Sequence, residues 1–109
     1  MCIRDRQVVA DRLRGRLRRG DLLARLGGDE FLVGLPGLDP ATAVQEAARV
    51  AADLAAAVDE PIDLSGGAVR VRVSIGAAVS PADGVEFGPL LHRADARMYG
   101  SKHPAAALG

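Results

Sequence analysis

Apolar residues recur four apart at Val9, Leu13 and Leu17, while Arg12, Arg14, Arg16, Arg18 and Arg19 fill the other faces of the same stretch. That spacing predicts a helix from residue 7, closed by Gly20, with arginines in the last turn where the helix dipole favours cations. The pattern then changes. Residues 22–26 and 31–35 form two apolar runs about a glycine-rich turn, which is the pattern of a β-hairpin. After a turn at Pro36-Gly37, Asp39-Pro40 supplies an N-cap and a proline at the first helical position. The helix should run to about Asp59, with Val44, Ala47, Ala48, Ala51, Leu54 and Val58 on one face and Pro61 as its stop. Ser65-Gly66-Gly67 separates Ile62-Asp63-Leu64 from a strand over residues 69–79. There Val69, Val71, Val73 and Ile75 alternate with Arg70, Arg72, Ser74 and Gly76. Pro81-Ala82-Asp83-Gly84 makes the next turn. A last helix carries Phe87, Leu90, Leu91, Ala94 and Met98 at helical spacing.

Composition narrows the picture. A chain of 109 residues, 49% of them hydrophobic, suits one small domain, and 3% aromatic content makes its core aliphatic. The formal net charge is zero, so nothing in the composition supports nucleic-acid binding, and most of the arginines read as a solvated face. A lone Cys2 rules out an internal disulfide and a cysteine metal cluster. No apolar run reaches membrane-spanning length, and the charged start does not resemble a secretory signal.

The candidate chemistry concentrates at Gly27-Gly28-Asp29-Glu30. Glycines there admit positive φ and let a ligand approach the backbone, and the adjacent carboxylates are a seat for a hard cation such as Mg²⁺ and hence for phosphates. The plain alternative is a polar turn, since turns use the same residues. Just ahead of it stands an Arg-x-x-Asp pair, Arg18 and Asp21. Arginine can fork onto a phosphate, and aspartate can accept from nitrogen donors. His92 has no metal-ligand partner at suitable spacing and reads as a surface residue.

Gly27-Gly28-Asp29-Glu30-Phe31 resembles the signature of the GGDEF domain, the diguanylate cyclase family. Both flanks are similar to that family as well: the Arg18…Asp21 pair, the Val73-Ser74-Ile75-Gly76 strand, and the closing Arg93-Ala94-Asp95…Tyr99 helix. The resemblance implies an α+β fold, ferredoxin-like and of the polymerase-palm type, with a mainly antiparallel sheet and flanking helices. It implies that two such domains, each holding GTP, form a homodimer and condense two GTP into cyclic di-GMP and pyrophosphate with Mg²⁺ (or Mn²⁺). By this likeness Asp29 is a metal ligand and the base for the 3′-hydroxyl, and Glu30 supports the metal or nucleotide. Gly27 and Gly28 admit the nucleotide, and Lys102 holds its phosphates unless it is an ordinary lysine at a helix C-terminus. Arg18 and Asp21 become a product-inhibition site, with Arg49 either a second arginine of that site or an exposed side chain. The resemblance further implies a cytoplasmic domain whose parent can carry an upstream sensory or inner-membrane segment.

The likeness runs from Gln7 to Lys102. Residues 1–6 read as a non-native leader, residues 7–103 as a partial GGDEF domain and residues 104–109 as a divergent tail. The family's first strand brings another metal-binding aspartate, and the helices after it bring an asparagine and an aspartate that read guanine. None of these is found ahead of the hairpin. The expectation is therefore a C-terminal portion of the domain, incomplete at its N-terminus, and by itself inactive and marginally stable or aggregation-prone. A non-catalytic receptor for cyclic di-GMP or GTP is the alternative, and a domain with no ligand would require both motifs to be coincidences.

Overall fold

A computed structural model describes residues 3–27, 30–64, 66–71 and 73–102. Its elements run in the order α1 (Ile3–Gly15), β1 (Leu22–Gly27), β2 (Glu30–Gly34), α2 (Ala43–Val58), β3 (Ile62–Leu64), β4 (Gly67–Val69) and α3 (Phe87–Lys102). β1 pairs with β2, and β3 with β4, each antiparallel. The chain divides into two compact units, residues 1–37 with 53–73, and residues 38–52 with 74–109.

The first unit has an aliphatic core. Val9 and Val58 are fully buried, and Leu13, Leu54, Ala57 and Ile62 nearly so. Burying each of the larger side chains stabilises by about 1.5–3 kcal/mol. α1 starts at Ile3, ahead of the expected residue 7, and so takes in residues 3–6 of the supposed leader. It ends at Gly15 rather than Gly20. Arg16 and Leu17 close it with N–H bonds to Leu13 O at 3.1 Å and Arg14 O at 3.2 Å. Gly20 serves the next turn instead, at φ +96°.

Arg12 crosses to the end of α2. Its Nη2 donates to Pro61 O at 2.8 Å and its Nη1 to Val58 O at 3.3 Å and to Glu60 O. The last turn of α2 has no basic residue of its own, so this guanidinium supplies both the donors and the positive charge that the carbonyl end of a helix lacks.

The strand expected over residues 69–79 is shorter. β4 ends at Val69, and no strand is described from residue 70 to 79. Alternation specifies a buried face, but a strand also needs a partner's N–H and C=O groups. Residues 73–79 are uniformly half-buried rather than alternately in and out. Arg72 and Ser65 lie outside the described residues.

In the second unit α2 starts later than expected. Asp39 Oδ1 accepts from Ala41 N at 3.0 Å and caps a turn, while Thr42 O accepts the first helical bond, from Glu46 N at 2.9 Å. Ala43 is buried but Val44 is 59% exposed, and Ala48 is exposed. The stripe is therefore displaced at its N-terminal end, where Ala43 and Val44 are adjacent apolar residues and packing selects Ala43. On α3, Leu90, Leu91, Ala94 and Met98 are half-buried as expected, whereas Phe87 is 61% exposed.

The segment ahead of the hairpin, where the fold was expected to be incomplete, is thus a regular helix that contributes Val9 and Leu13 to a core. Among the described residues no helix is long and apolar enough to cross a membrane.

Candidate functional site at the β1–β2 turn

The hairpin presents the acidic turn. Its register pairs Leu22 with Gly34, Leu23 with Val33, Ala24 with Leu32, Arg25 with Phe31, and Gly27 with Glu30. The register shifts between Arg25 and Gly27, which leaves Leu26 as an extra residue, a bulge next to the turn. Bulges of this kind bend a strand and re-aim the residues beyond them. Gly27 takes φ +147°, where L side chains are strained, although a Cβ there would meet nothing within 4 Å. The demand for glycine is therefore one of backbone conformation. Glu30 opens β2 and is exposed. Gly28 and Asp29 lie outside the described residues.

Arg18 and Asp21 come together. Asp21 N donates to Arg18 O at 3.1 Å, and Asp21 Oδ2 accepts from Arg18 N at 2.7 Å and from Nε at 3.4 Å. Asp21 Oδ1 accepts from Arg18 Nη2 at 3.1 Å. Positive φ at Gly20, the third residue of this turn, is what glycine permits at that position. Arg18 Nη2 also reaches Pro36 O at 3.3 Å. The Asp21 side chain is 3% exposed, and that of Arg18 60%. Hydrogen bonds from the Arg18 side chain, and then from its backbone N–H, hold the Asp21 carboxyl below the ordinary carboxylate range.

Arg49 lies in the second unit, on the part of α2 where Glu46 holds its guanidinium. Lys102 is the last residue of α3, and His92 is exposed on that helix. Among the described residues no group of three or more His, Cys, Asp or Glu could hold a metal unaided. The donor chemistry of the turn still suits Mg²⁺, which takes one or two carboxylates and leaves the other positions to water and phosphate. Exposed Glu30 is a donor of that kind.

Two features had no local signal in the sequence. An open groove of about 410 Å³ runs between α1 and the hairpin, and Arg6, Arg14, Arg25 and Phe31 are among the residues lining it. It concentrates positive charge that a neutral total conceals. In the second unit, Arg97 forms a two-pronged ion pair with Asp83 at 2.8 and 2.9 Å.

Comparison with known proteins places this geometry in a family. The family described as "Diguanylate cyclase, GGDEF domain" matches residues 7–106. TpbB, a diguanylate cyclase of Pseudomonas aeruginosa, is 43% identical over 98 residues, which cover 89% of this chain and 22% of that protein. MucR of the same organism, a bifunctional diguanylate cyclase/cyclic di-GMP phosphodiesterase, is 40% identical over 94 residues, covering 86% of this chain and 13% of that protein. The crystal structure of the TpbB GGDEF domain superposes with a TM-score of 0.78 at 39% identity, over 90% of this chain and 62% of that one. An EAL/GGDEF domain protein from M. capsulatus gives 0.78 at 37% identity, over 93% and 63%.

The chain belongs to the GGDEF family. It spans about a fifth or less of the length of these two relatives, and under two thirds of the solved chains. The expectation of a C-terminal portion only, with a fold incomplete at its N-terminus, is overturned. One GGDEF match runs from within α1 to past the end of α3, nearly the whole of the chain, in a fold of the family's α+β class. The inactivity expected from such truncation loses its premise. That expectation rested on single ligand residues sought ahead of the hairpin, whereas membership rests on the whole length of the match.

Proposed function

We propose that this chain forms the GTP-condensing domain of a diguanylate cyclase, working as a pair of domains with one GTP in each. The observation that carries the reading is the intact Gly27-Gly28-Asp29-Glu30-Phe31 signature at the turn of a bulged hairpin, in a chain of this family. Relatives described as diguanylate cyclases support it.

In the reaction the 3′-hydroxyl of each GTP attacks the α-phosphorus of the other. Each attack forms one P–O bond and breaks the bond to the pyrophosphate leaving group. Asp29 is the base that takes the hydroxyl proton and the carboxylate that ligates the metal. Glu30 stands beside it as a second acid. Gly27 and Gly28 leave the backbone open to base and ribose, and Lys102 offsets phosphate charge at the end of α3. Bound Mg²⁺, or Mn²⁺ in its place, supplies charge neutralisation of the triphosphate and a lower barrier to ionising the hydroxyl. Holding the two nucleotides in line is the protein's main task.

Arg18 and Asp21 form the site where cyclic di-GMP restrains the enzyme. Preformed pairing at Arg18–Asp21 favours one further reading, a receptor that binds cyclic di-GMP without making it. The two separate on incubation with GTP and Mg²⁺ beside an Asp29→Ala variant. Product from the parent and none from the variant is the expected result. No product from either, with cyclic di-GMP still bound, would leave the receptor.

A further inference from the structure

Arg97 is committed to the segment before α3. Its Nη1 donates to Ala77 O at 2.7 Å and to Asp83 Oδ2 at 2.8 Å, and its Nη2 to Asp83 Oδ1 at 2.9 Å. Asp83 is itself tied down. Its Oδ2 accepts from Val79 N at 2.9 Å, and its N–H donates to Val79 O at 2.7 Å. The Asp83 side chain is 15% exposed. Hydrogen bonds from Arg97, and then from Val79 N, pull its pKa down to about 2, and the same pairing raises that of Arg97.

The helix is also gripped through its backbone. A Cβ on Gly76 would lie 2.0 Å from Ala94 O and 2.3 Å from Met98 N, so α3 rests directly on the main chain at Gly76. These contacts bracket residues 94–98, and all of them lie within the second unit. Lys102 lies five positions beyond Arg97 on the same helix, roughly 7.5 Å along its axis. An α-helix transmits a rigid placement over that distance.

A partly exposed ion pair stabilises little when isolated. This one is a fork–fork pair extended by two backbone groups, and such geometry fixes orientation as well as adding energy. The guanidinium is already held by three acceptors, so its role toward a ligand is indirect. We propose that Arg97, held by Asp83, is a positioning residue for Lys102, setting where the cationic end of α3 meets the phosphates of GTP. The inference rests on the reading of Lys102 as a phosphate-binding residue.

A double-mutant cycle tests it on the full-length protein, read as the dissociation constant for GTP in the presence of Mg²⁺ by equilibrium titration, which does not require turnover. Lys102→Ala should weaken GTP binding roughly tenfold and Arg97→Ala several-fold. The double variant should be no weaker than Lys102→Ala, because residues acting through one another are not additive. Arg97→Lys keeps the charge but not the fork, and should fail to restore binding. Asp83→Asn keeps the shape of the partner and should reproduce the Arg97→Ala effect even if that variant folds poorly. Additive losses, or unchanged affinity in Arg97→Ala and Asp83→Asn beside a weakened Lys102→Ala, would overturn the positioning role alone. Full affinity in Lys102→Ala would overturn the phosphate role of Lys102 and the inference with it.

Discussion

The two units of this chain hold themselves together by different means. The first closes an aliphatic core around Val9, Leu13, Leu54, Val58 and Ile62, and adds the Arg12 bonds to the end of α2. In the second, Ala43 is the one hydrophobic residue buried to that degree among those described. That unit depends instead on a backbone contact at Gly76 and on the Arg97–Asp83 pair. Hydrophobic burial is non-directional and tolerates small shifts, whereas an ion pair and a close backbone contact fix orientation and fail sharply. The acidic turn therefore rises from a unit secured by packing, and the lysine of α3 from a unit secured by geometry.

Substitutions can break this contrast. The largest loss is expected from Leu13→Ala, about 2–5 kcal/mol for emptying a buried leucine site, read from urea unfolding. Gly76→Ala should cost about 3 kcal/mol, the upper part of the range for overpacking, because its methyl would strike helical backbone rather than a movable side chain. Amide exchange should then speed up in α3 while the amides around Val9 and Val58 stay protected. Equal loss of protection in both units would refute the contrast.

Acid sharpens it further. The Asp83 pKa of about 2 lies below its ordinary 3.8, so the folded chain binds that proton less readily than the unfolded chain. The stabilisation is present above about pH 4 and lost as pH falls toward 2. Asp21 shifts in the same direction, so Asp83→Asn is needed to isolate the contribution. That variant should be less stable than the parent at neutral pH, and the gap should close between pH 4 and pH 2. A gap that persists unchanged at pH 2 would contradict the assignment. The smallest expected effect on stability is that of Arg18→Ala, a smaller shift of the urea midpoint than Leu13→Ala or Gly76→Ala, because Asp21 keeps its bond from the backbone N–H of residue 18, although the same change should abolish cyclic di-GMP binding. Unchanged affinity would remove Arg18 from the inhibitory site.

How much was legible in the sequence depended on the range of each interaction. The hairpin was legible because its two apolar runs and its turn lie side by side. The Arg18–Asp21 pair was legible only through its likeness to a family motif, while the turn that joins the two residues was read as the end of a helix at Gly20. α2 was legible as a helix and in phase from Ala51 to Val58, but not at its N-terminal end, since Val44 and Ala43 are both apolar and only packing separates them. Residues 69–79 showed a strand's alternation, but pairing is settled by another part of the chain. Arg12 reaches carbonyls from residue 58 to residue 61, and Arg97 reaches back to Ala77 and Asp83. In a chain rich in arginine, such long-range partners leave no local mark. The bulge at Leu26 is of the same kind, because it exists only as a relation between two strands.

The measurement closest to the central claim is product analysis with GTP labelled at its α-phosphate, in the presence of Mg²⁺. The account predicts cyclic di-GMP carrying the label, one pyrophosphate released for each GTP consumed, and neither from Asp29→Ala. GTP left intact while cyclic di-GMP still binds through Arg18 would contradict it, and would make the domain a receptor rather than an enzyme.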